Sequence, residues 1–203
     1  MDIIFATGNP HKVEEAGQIL GPEFHLKTPA DFGITEDIPE TADTLEGNAL
    51  QKAEYVFRHT GKPCFADDTG LFVDALGGAP GVLSARYAGP GKRAEDNVCK
   101  LLAELKDMPV ENAGRRLRTA RFRCVVAYVD GNVRQVFEGR VEGEISTAPR
   151  GDSGFGYDPV FLPERYGLER SFAELTADEK NAISHRGEAM RQFAAWIRKR
   201  HLG

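Results

Sequence analysis

An apolar run, Pro63-Cys64-Phe65-Ala66, feeds into two adjacent acids, Asp67 and Asp68, and then into Thr69-Gly70. That order predicts a buried strand ending at the acids, on the carboxyl edge where open α/β sheets place their chemistry. Adjacent strand side chains point to opposite faces, so only one of the two carboxylates can face a given cleft directly. A surface turn is the competing reading, because Asp-Asp-Thr-Gly is also ordinary turn chemistry. Beyond it, Gly77-Gly78-Ala79-Pro80-Gly81 forms a loop poor in side chains, and Arg86 follows closely. An acid, a hydroxyl, a glycine loop and a guanidinium in one short stretch suit a metal-bound phosphate ester.

Three further stretches carry chemistry. Thr7-Gly8-Asn9-Pro10-His11-Lys12 turns a first strand into a helix, with Asn9 as N-cap and Pro10 at the first helical position. Such a turn aims backbone N–H groups and the positive end of a dipole at whatever lies above it, and Lys12 adds a full charge. The spacing is not that of a Walker A loop, and a capped turn with a solvated lysine is the plainer alternative. Gly154-Phe155-Gly156-Tyr157-Asp158 sets aromatic rings among glycines, where a ring can stack on a nucleobase while Asp158 reads its edge. A loop anchored by its aromatics in the core is the alternative. Finally, His185-Arg186 follows Ser184, a candidate N-cap, with Lys180 one turn earlier.

These residues need elements to hold them. Strands are expected over Asp2 to Ala6 and Phe24 to Thr28, and a helix runs from Asn9 with Val13, Ala16, Gly17 and Leu20 on its apolar face. Pro29 to Thr41 reads as irregular, with most of its acids (Glu36, Asp37, Glu40) solvated. Asp43-Thr44-Leu45-Glu46 resembles a capping box opening a helix to about Thr60. Asn48 and Lys52 share a face of that helix, by default an exposed one. A helix over Arg93 to Lys106 and a polar connection over Asp107 to Arg116 precede a long hairpin, Leu117–Val129 and Val133–Ile145. The arginines 115, 116, 118, 121 and 123 read mostly as solvated or interface surface. A second capping box, Thr176 to Glu179, and a last helix with Ala189, Met190, Phe193, Ala194 and Ile197 inward close the chain. Strands alternating with helices, then a hairpin, predict an α/β fold on a mixed sheet flanked by helices.

Bulk properties set the limits. The 203 residues are 41% hydrophobic and 28% charged, the balance of an ordinary globular protein with room for a substantial core. A net charge of -5 argues against a broad nucleic-acid surface. Cys64, Cys99 and Cys124 lie in apolar surroundings without disulfide or zinc spacing, so they are expected to be reduced core residues of a cytoplasmic protein. The opening MDIIFATGN lacks the pattern of a secretory signal, and no apolar run reaches membrane-spanning length.

Taken together, ATGNPHKVEE, ETADTLEGNALQKA, FADDTGLFVDALGGAPGVLSARYAG, GFGYDPVF and EKNAISHRGEAM resemble the inosine/xanthosine triphosphate pyrophosphatase family, in the family's order along nearly the whole chain. The resemblance implies one catalytic domain over residues 1–203, an elongated two-lobed α/β fold with a central mixed sheet and a nucleotide cleft between lobes, and a homodimer. It implies Mg²⁺-dependent hydrolysis of ITP, dITP and XTP to the monophosphate and pyrophosphate, keeping these nucleotides out of DNA and RNA. By motif position, Thr7, Gly8, Asn9, Pro10, His11, Lys12 and Lys52 would bind the triphosphate. Glu40 and Asp68 would hold the metal, with Asp68 also the proton acceptor. Thr69 and Arg86 would contact substrate, and Phe155, Gly156, Tyr157, Asp158, Lys180, His185 and Arg186 would take the base end and adjoining phosphate. A relative with pyrimidine substrates (Maf-like) and a non-catalytic nucleotide sensor are the competing readings.

Overall fold

The parity of two paired parallel strands decides which way their side chains face. In the computed structural model, which describes residues 1–201, β1 (Asp2–Phe5) is followed by α1 (Pro10–Leu20), β2 (His25–Lys27), α2 (Leu45–Thr60) and β3 (Cys64–Val73). Next come β4 (Pro80–Gly81), α3 (Ala94–Glu104), the small pair β5 (Glu111–Asn112) and β6 (Arg115–Arg116), β7 (Thr119–Val129) and β8 (Arg134–Ile145). The chain closes with β9 (Phe161–Pro163), α4 (Ala177–Ile183) and α5 (His185–His201). The main sheet has the order β2-β1-β3-β7-β8-β9, with β4 also on β3. It is mixed as expected: β1 pairs in parallel with β2 and β3, whereas β3–β4 and β8–β9 are antiparallel.

The chain divides into two compact units, and β3, β7 and β8 contribute to both. The first comprises, among the described residues, 1–68, 124–139 and those from 185 onward. Here Ile3, Phe5 and Phe65 pack with Ala16 and Leu20 of α1 and with Met190, Phe193 and Ile197 of α5. Their chain neighbours Ile4, Ala6, Cys64 and Ala66 pack on the other face with Ala53 and Val56 of α2. This is the two-residue period of a strand buried on both sides. Over the part of β3 that lies in this unit, up to Asp68, odd positions therefore look toward α1 and α5, and even positions toward α2.

The second unit comprises residues 69–123 and 140–184, with a core of Leu71, Val73, Leu101, Phe122, Phe161 and Phe172 among others. Arg118 departs from the expected surface reading of its arginine run. Its guanidinium is buried and donates to the carbonyls of Leu105, Ile145 and Ser146 at 2.8–2.9 Å, and to that of Met108 at 3.1 Å. A planar fork of five donors can tie several chain segments at once, which a lysine could not. The connection before it is likewise not structureless, because Glu111–Asn112 and Arg115–Arg116 pair as an antiparallel ribbon.

Local signals set most helix ends. Asn9 caps α1, its Oδ1 accepting from the His11 N–H at 3.0 Å, with Pro10 next. Thr176 and Glu179 form the expected reciprocal box at α4. At α2 the cap is Thr44 alone, accepting from the Gly47 N–H, because a glycine at the third helical position has no side chain to reach back.

Candidate active site

β3 does not end at the acids. It continues through Asp67, Asp68, Thr69 and Gly70 to Val73, and the parallel partner β1 is what stops, at Phe5. The acids thus lie at the carboxyl edge of the parallel part while remaining in a strand, and both are buried. A turn-forming sequence stays extended here because each carboxylate finds a cation on its own side.

On the α2 side, Asp68 Oδ1 accepts from Lys52 Nζ at 3.2 Å, and Asp68 Oδ2 accepts from Asn48 Nδ2 at 3.2 Å. Glu40 Oε1 takes the same ammonium at 2.6 Å. The polar face of α2 is therefore not the exposed one expected: Asn48 and Lys52 are buried, four residues apart and aimed inward. Asn48 also accepts from the Ala42 N–H, which fixes the chain leading from Glu40 into the helix. Burial works against the Lys52 charge, but Asp68, Glu40 and Asp67 overcome it and raise the ammonium above its ordinary pKa. Burial raises the Asp68 carboxyl above its ordinary value; Lys52 and Lys12 oppose the rise, and Glu40 and Asp67 add to it.

On the α1 and α5 side, Asp67 Oδ1 accepts from Lys12 Nζ at 2.9 Å and Oδ2 from Arg186 Nε at 3.1 Å. Arg186 Nη1 donates in turn to Glu15 Oε2 at 2.5 Å. Burial disfavours the charge on Asp67, yet Lys12 and Arg186, with Lys52 behind them, hold its carboxyl well below the usual range. Lys12 also acts on Asp68, and Lys52 on Asp67, so the two cations serve one electrostatic neighbourhood.

Above Lys12, Thr7 Oγ1 accepts from the Asn9 N–H at 3.1 Å, which shapes the turn. Gly8 is exposed, with nothing within 4 Å of where a Cβ would stand, and His11 is exposed beside it. The turn is exposed at the start of an eleven-residue helix. His185 is buried in the first turn of α5, next to Arg186.

In the second unit, Lys180 Nζ donates to Asp158 Oδ2 at 2.8 Å and stands 4.8 Å from the centroid of the Phe155 ring. The same carboxylate oxygen accepts from the Phe155 N–H at 2.8 Å, folding residues 154–158 tightly around it. A Cβ at Gly154 would collide with the Asp158 carboxylate, which explains why glycine stands there at φ 78°. Gly156 has φ 65°. Tyr157 is not grouped with Phe155: it is buried and donates its hydroxyl to the Ser84 carbonyl at 2.8 Å. Arg86 lies half-buried on the single turn Ser84–Arg86 that receives it, and Thr69 is half-buried next to Asp68 in the chain.

Three participants escape a reading by motif: Asn48, Asp67 and Glu15. Each carried a signal. Asn48 stands one turn before Lys52, Asp67 has the parity of the α1 face, and Glu15 stands three residues after Lys12 on one side of a helix. Among the described residues, no three His, Cys, Asp or Glu side chains group closely enough to cage a metal alone.

Comparisons with known proteins show the family to which the chain belongs. The model of the Ham1 family matches residues 3–196. A dITP/XTP pyrophosphatase of Porphyromonas gingivalis is 52% identical over 195 residues, 96% of each chain. The Staphylococcus aureus Ham1 protein superposes with a TM-score of 0.85 at 35% identity, covering 98% of this chain and all of the other. A nucleoside-triphosphatase / dITP/XTP pyrophosphatase from Mycobacterium abscessus gives a TM-score of 0.75 at 44% identity, covering 97% and 99%.

Proposed function

The chain belongs to the Ham1 family and is a nucleoside triphosphate pyrophosphatase, and from that premise we propose that it hydrolyses dITP, ITP and XTP to the monophosphate and pyrophosphate with Mg²⁺. The observation that carries the reading is the convergence of Glu40 and Asp68 on the Lys52 ammonium, at 2.6 and 3.2 Å. Two carboxylates meeting at one cationic point fit Mg²⁺, which commonly takes one or two acids and completes its shell with water and phosphate oxygens. Glu40 and Asp68 would hold the ion, which when bound would neutralise phosphate charge and make a nearby water more acidic.

The chain's own groups do the rest. Lys12, Lys52 and the positive end of the α1 dipole draw charge off the triphosphate, where preorganised groups act most strongly. Asp68 accepts the proton of the attacking water. Asn48 with Lys52 holds both its oxygens in place, and the water it serves need only lose a proton made more acidic by the ion. Thr69 and Arg86 contact substrate, and Lys180, the Phe155–Asp158 loop, His185 and Arg186 take the base end. A deaminated purine offers an oxygen at position 6, and a donor-lined site leaves buried donors unmatched when adenine's amino group enters. Mismatches of that kind give discrimination on the order of 10⁴-fold. The protein acts as a cytoplasmic homodimer that clears these nucleotides before they reach DNA or RNA. Among the described residues no helix is long and apolar enough to cross a membrane.

Pyrophosphate release from ITP, dITP, XTP, ATP, GTP, dTTP and UTP, with and without Mg²⁺, tests the reading. Release confined to the first three and requiring the ion is expected. Faster release from UTP or dTTP, or orthophosphate as the only product, would overturn it.

A further inference from the structure

Asp67 is the acid that motif position leaves without a task. Its side chain is wholly buried, and one oxygen is given to Lys12 and the other to Arg186. Asp67 thus faces two cations where Asp68 faces one cation and a neutral amide, which makes Asp67 the poorer proton acceptor. Glu15 completes the group on Arg186, so two acids and two cations from α1, β3 and α5 compensate one another.

Stability alone explains this cluster badly. Buried ion pairs seldom stabilise more than apolar side chains of similar volume, because desolvation offsets the attraction. Position explains it better. The Lys12 and Glu15 side chains remain 16% and 17% exposed while Asp67 and Arg186 are 0% and 3% exposed, so the cluster is sealed at its centre and reaches solvent only along α1, where Lys12 is the one cation. An ammonium has three donors. One points inward to Asp67, which fixes the direction of the others and removes the rotamer freedom a phosphate would otherwise have to suppress.

We propose that Asp67 is a positioning residue: through its bond to Lys12, itself held in line by Arg186 and Glu15, it aims the lysine ammonium at the substrate's phosphates. The proposal rests on the function above, which assigns Lys12 to the triphosphate. It differs from the role of Asp68, which touches the reacting water.

A double-mutant cycle tests it, read by calorimetric binding of inorganic triphosphate and by ITP hydrolysis. Asp67→Asn and Lys12→Ala should each weaken triphosphate binding about tenfold, within the range for contacting residues. The double variant should bind no worse than Lys12→Ala alone. Asp67→Asn should raise KM with kcat nearly preserved, whereas a merely structural role would lower the folded fraction and leave KM alone. Additive losses in the double variant, or a collapse of kcat at unchanged KM, would overturn the proposal. Should Asp67→Asn fail to fold, the wild type decides. A solvent-protected Nζ–H signal in ¹⁵N NMR that vanishes in Lys12→Ala supports it, and a Lys12 ammonium exchanging like a surface lysine overturns it. A wild type that binds triphosphate without hydrolysing ITP would refute the pyrophosphatase reading, while the binding cycle would still report on Asp67.

Discussion

Asp67 and Asp68 are neighbours in the chain that bond to cations on opposite faces of β3, Asp67 to Lys12 at 2.9 Å and Asp68 to Lys52 at 3.2 Å. Strand parity turns one dipeptide into two functions. The odd carboxylate is closed in between α1 and α5, and the even one stands with Asn48 and Glu40 near the end of the parallel sheet.

That division predicts how Asp68→Asn behaves. The amide keeps the volume and one acceptor oxygen but cannot take a proton from water. We expect kcat to fall by about 10²- to 10⁴-fold, the usual contribution of a positioned base. Nucleotide affinity should survive, because Lys12 and the Thr7–Lys12 turn are untouched. Steady-state kinetics paired with equilibrium nucleotide binding checks this, and undiminished turnover would remove Asp68 from the chemistry.

The thiols give a second expectation. All three cysteines read from sequence as core residues, but Cys99 is exposed on α3 while Cys64 and Cys124 are buried. Burial pushes the Cys64 thiol up to about 12, against a smaller opposing hydrogen bond from the Phe57 backbone. Only the thiolate is nucleophilic, so the native protein should titrate a single fast thiol with an aromatic disulfide reagent. Cys99→Ser should abolish that phase, and a second fast thiol in the native protein would contradict the burial.

Much of this was legible in the chain and some was not, for reasons that differ by residue. The Asn9 cap, the Thr176–Glu179 box and the inward face of α5 are local signals, and local signals survive folding. Lys52 and Asn48 failed the default rule because polar helix residues normally face water. Here two carboxylates from β3 and the Glu40 segment overrode it, and that partnership is long-range. The strand was expected to end at Asp67-Asp68, with a turn as the competing reading, for the same reason: the cations that hold the stretch extended come from elsewhere in the chain. Arg118 was invisible because its partners are backbone carbonyls, which no sequence pattern marks. The site's residue types were thus readable, and their pairing was not.

Acid stability should depend on Glu179. Its carboxylate accepts from Arg170 at 2.9 and 3.1 Å and from the Thr176 N–H at 2.8 Å. The Arg170 bond, then the Thr176 N–H, lower its pKa from an ordinary 4.5 to about 2. A depressed folded-state value means the unfolded chain binds the proton more readily. The contribution is therefore complete above about pH 4.5 and is lost as the pH falls toward 2. Urea midpoints of wild type and Glu179→Gln should differ at pH 6 and converge at about pH 2 to 3. A difference that does not change with pH would show the bond to be worth the same in both protonation states.

Two glycine-to-alanine changes should move stability in opposite directions. At Gly17, inside α1, an added Cβ meets nothing within 4 Å. Alanine there restricts the unfolded chain and is expected to stabilise by about 0.8 kcal/mol. At Gly139, on β8, the same methyl would lie 2.6 Å from the Ala189 nitrogen and collide with the His185 carbonyl, both backbone atoms of α5. Neither can swing aside like a side-chain tip, so β8 or the first turn of α5 must shift, at about 1–3 kcal/mol. That turn carries His185 and Arg186, and Arg186 braces Asp67. Gly139→Ala should therefore lose affinity for nucleotide as well as thermal stability, whereas Gly17→Ala changes only the latter. Melting curves together with KM for ITP separate the outcomes. A Gly139→Ala protein of wild-type stability would mean the strand and helix do not approach this closely.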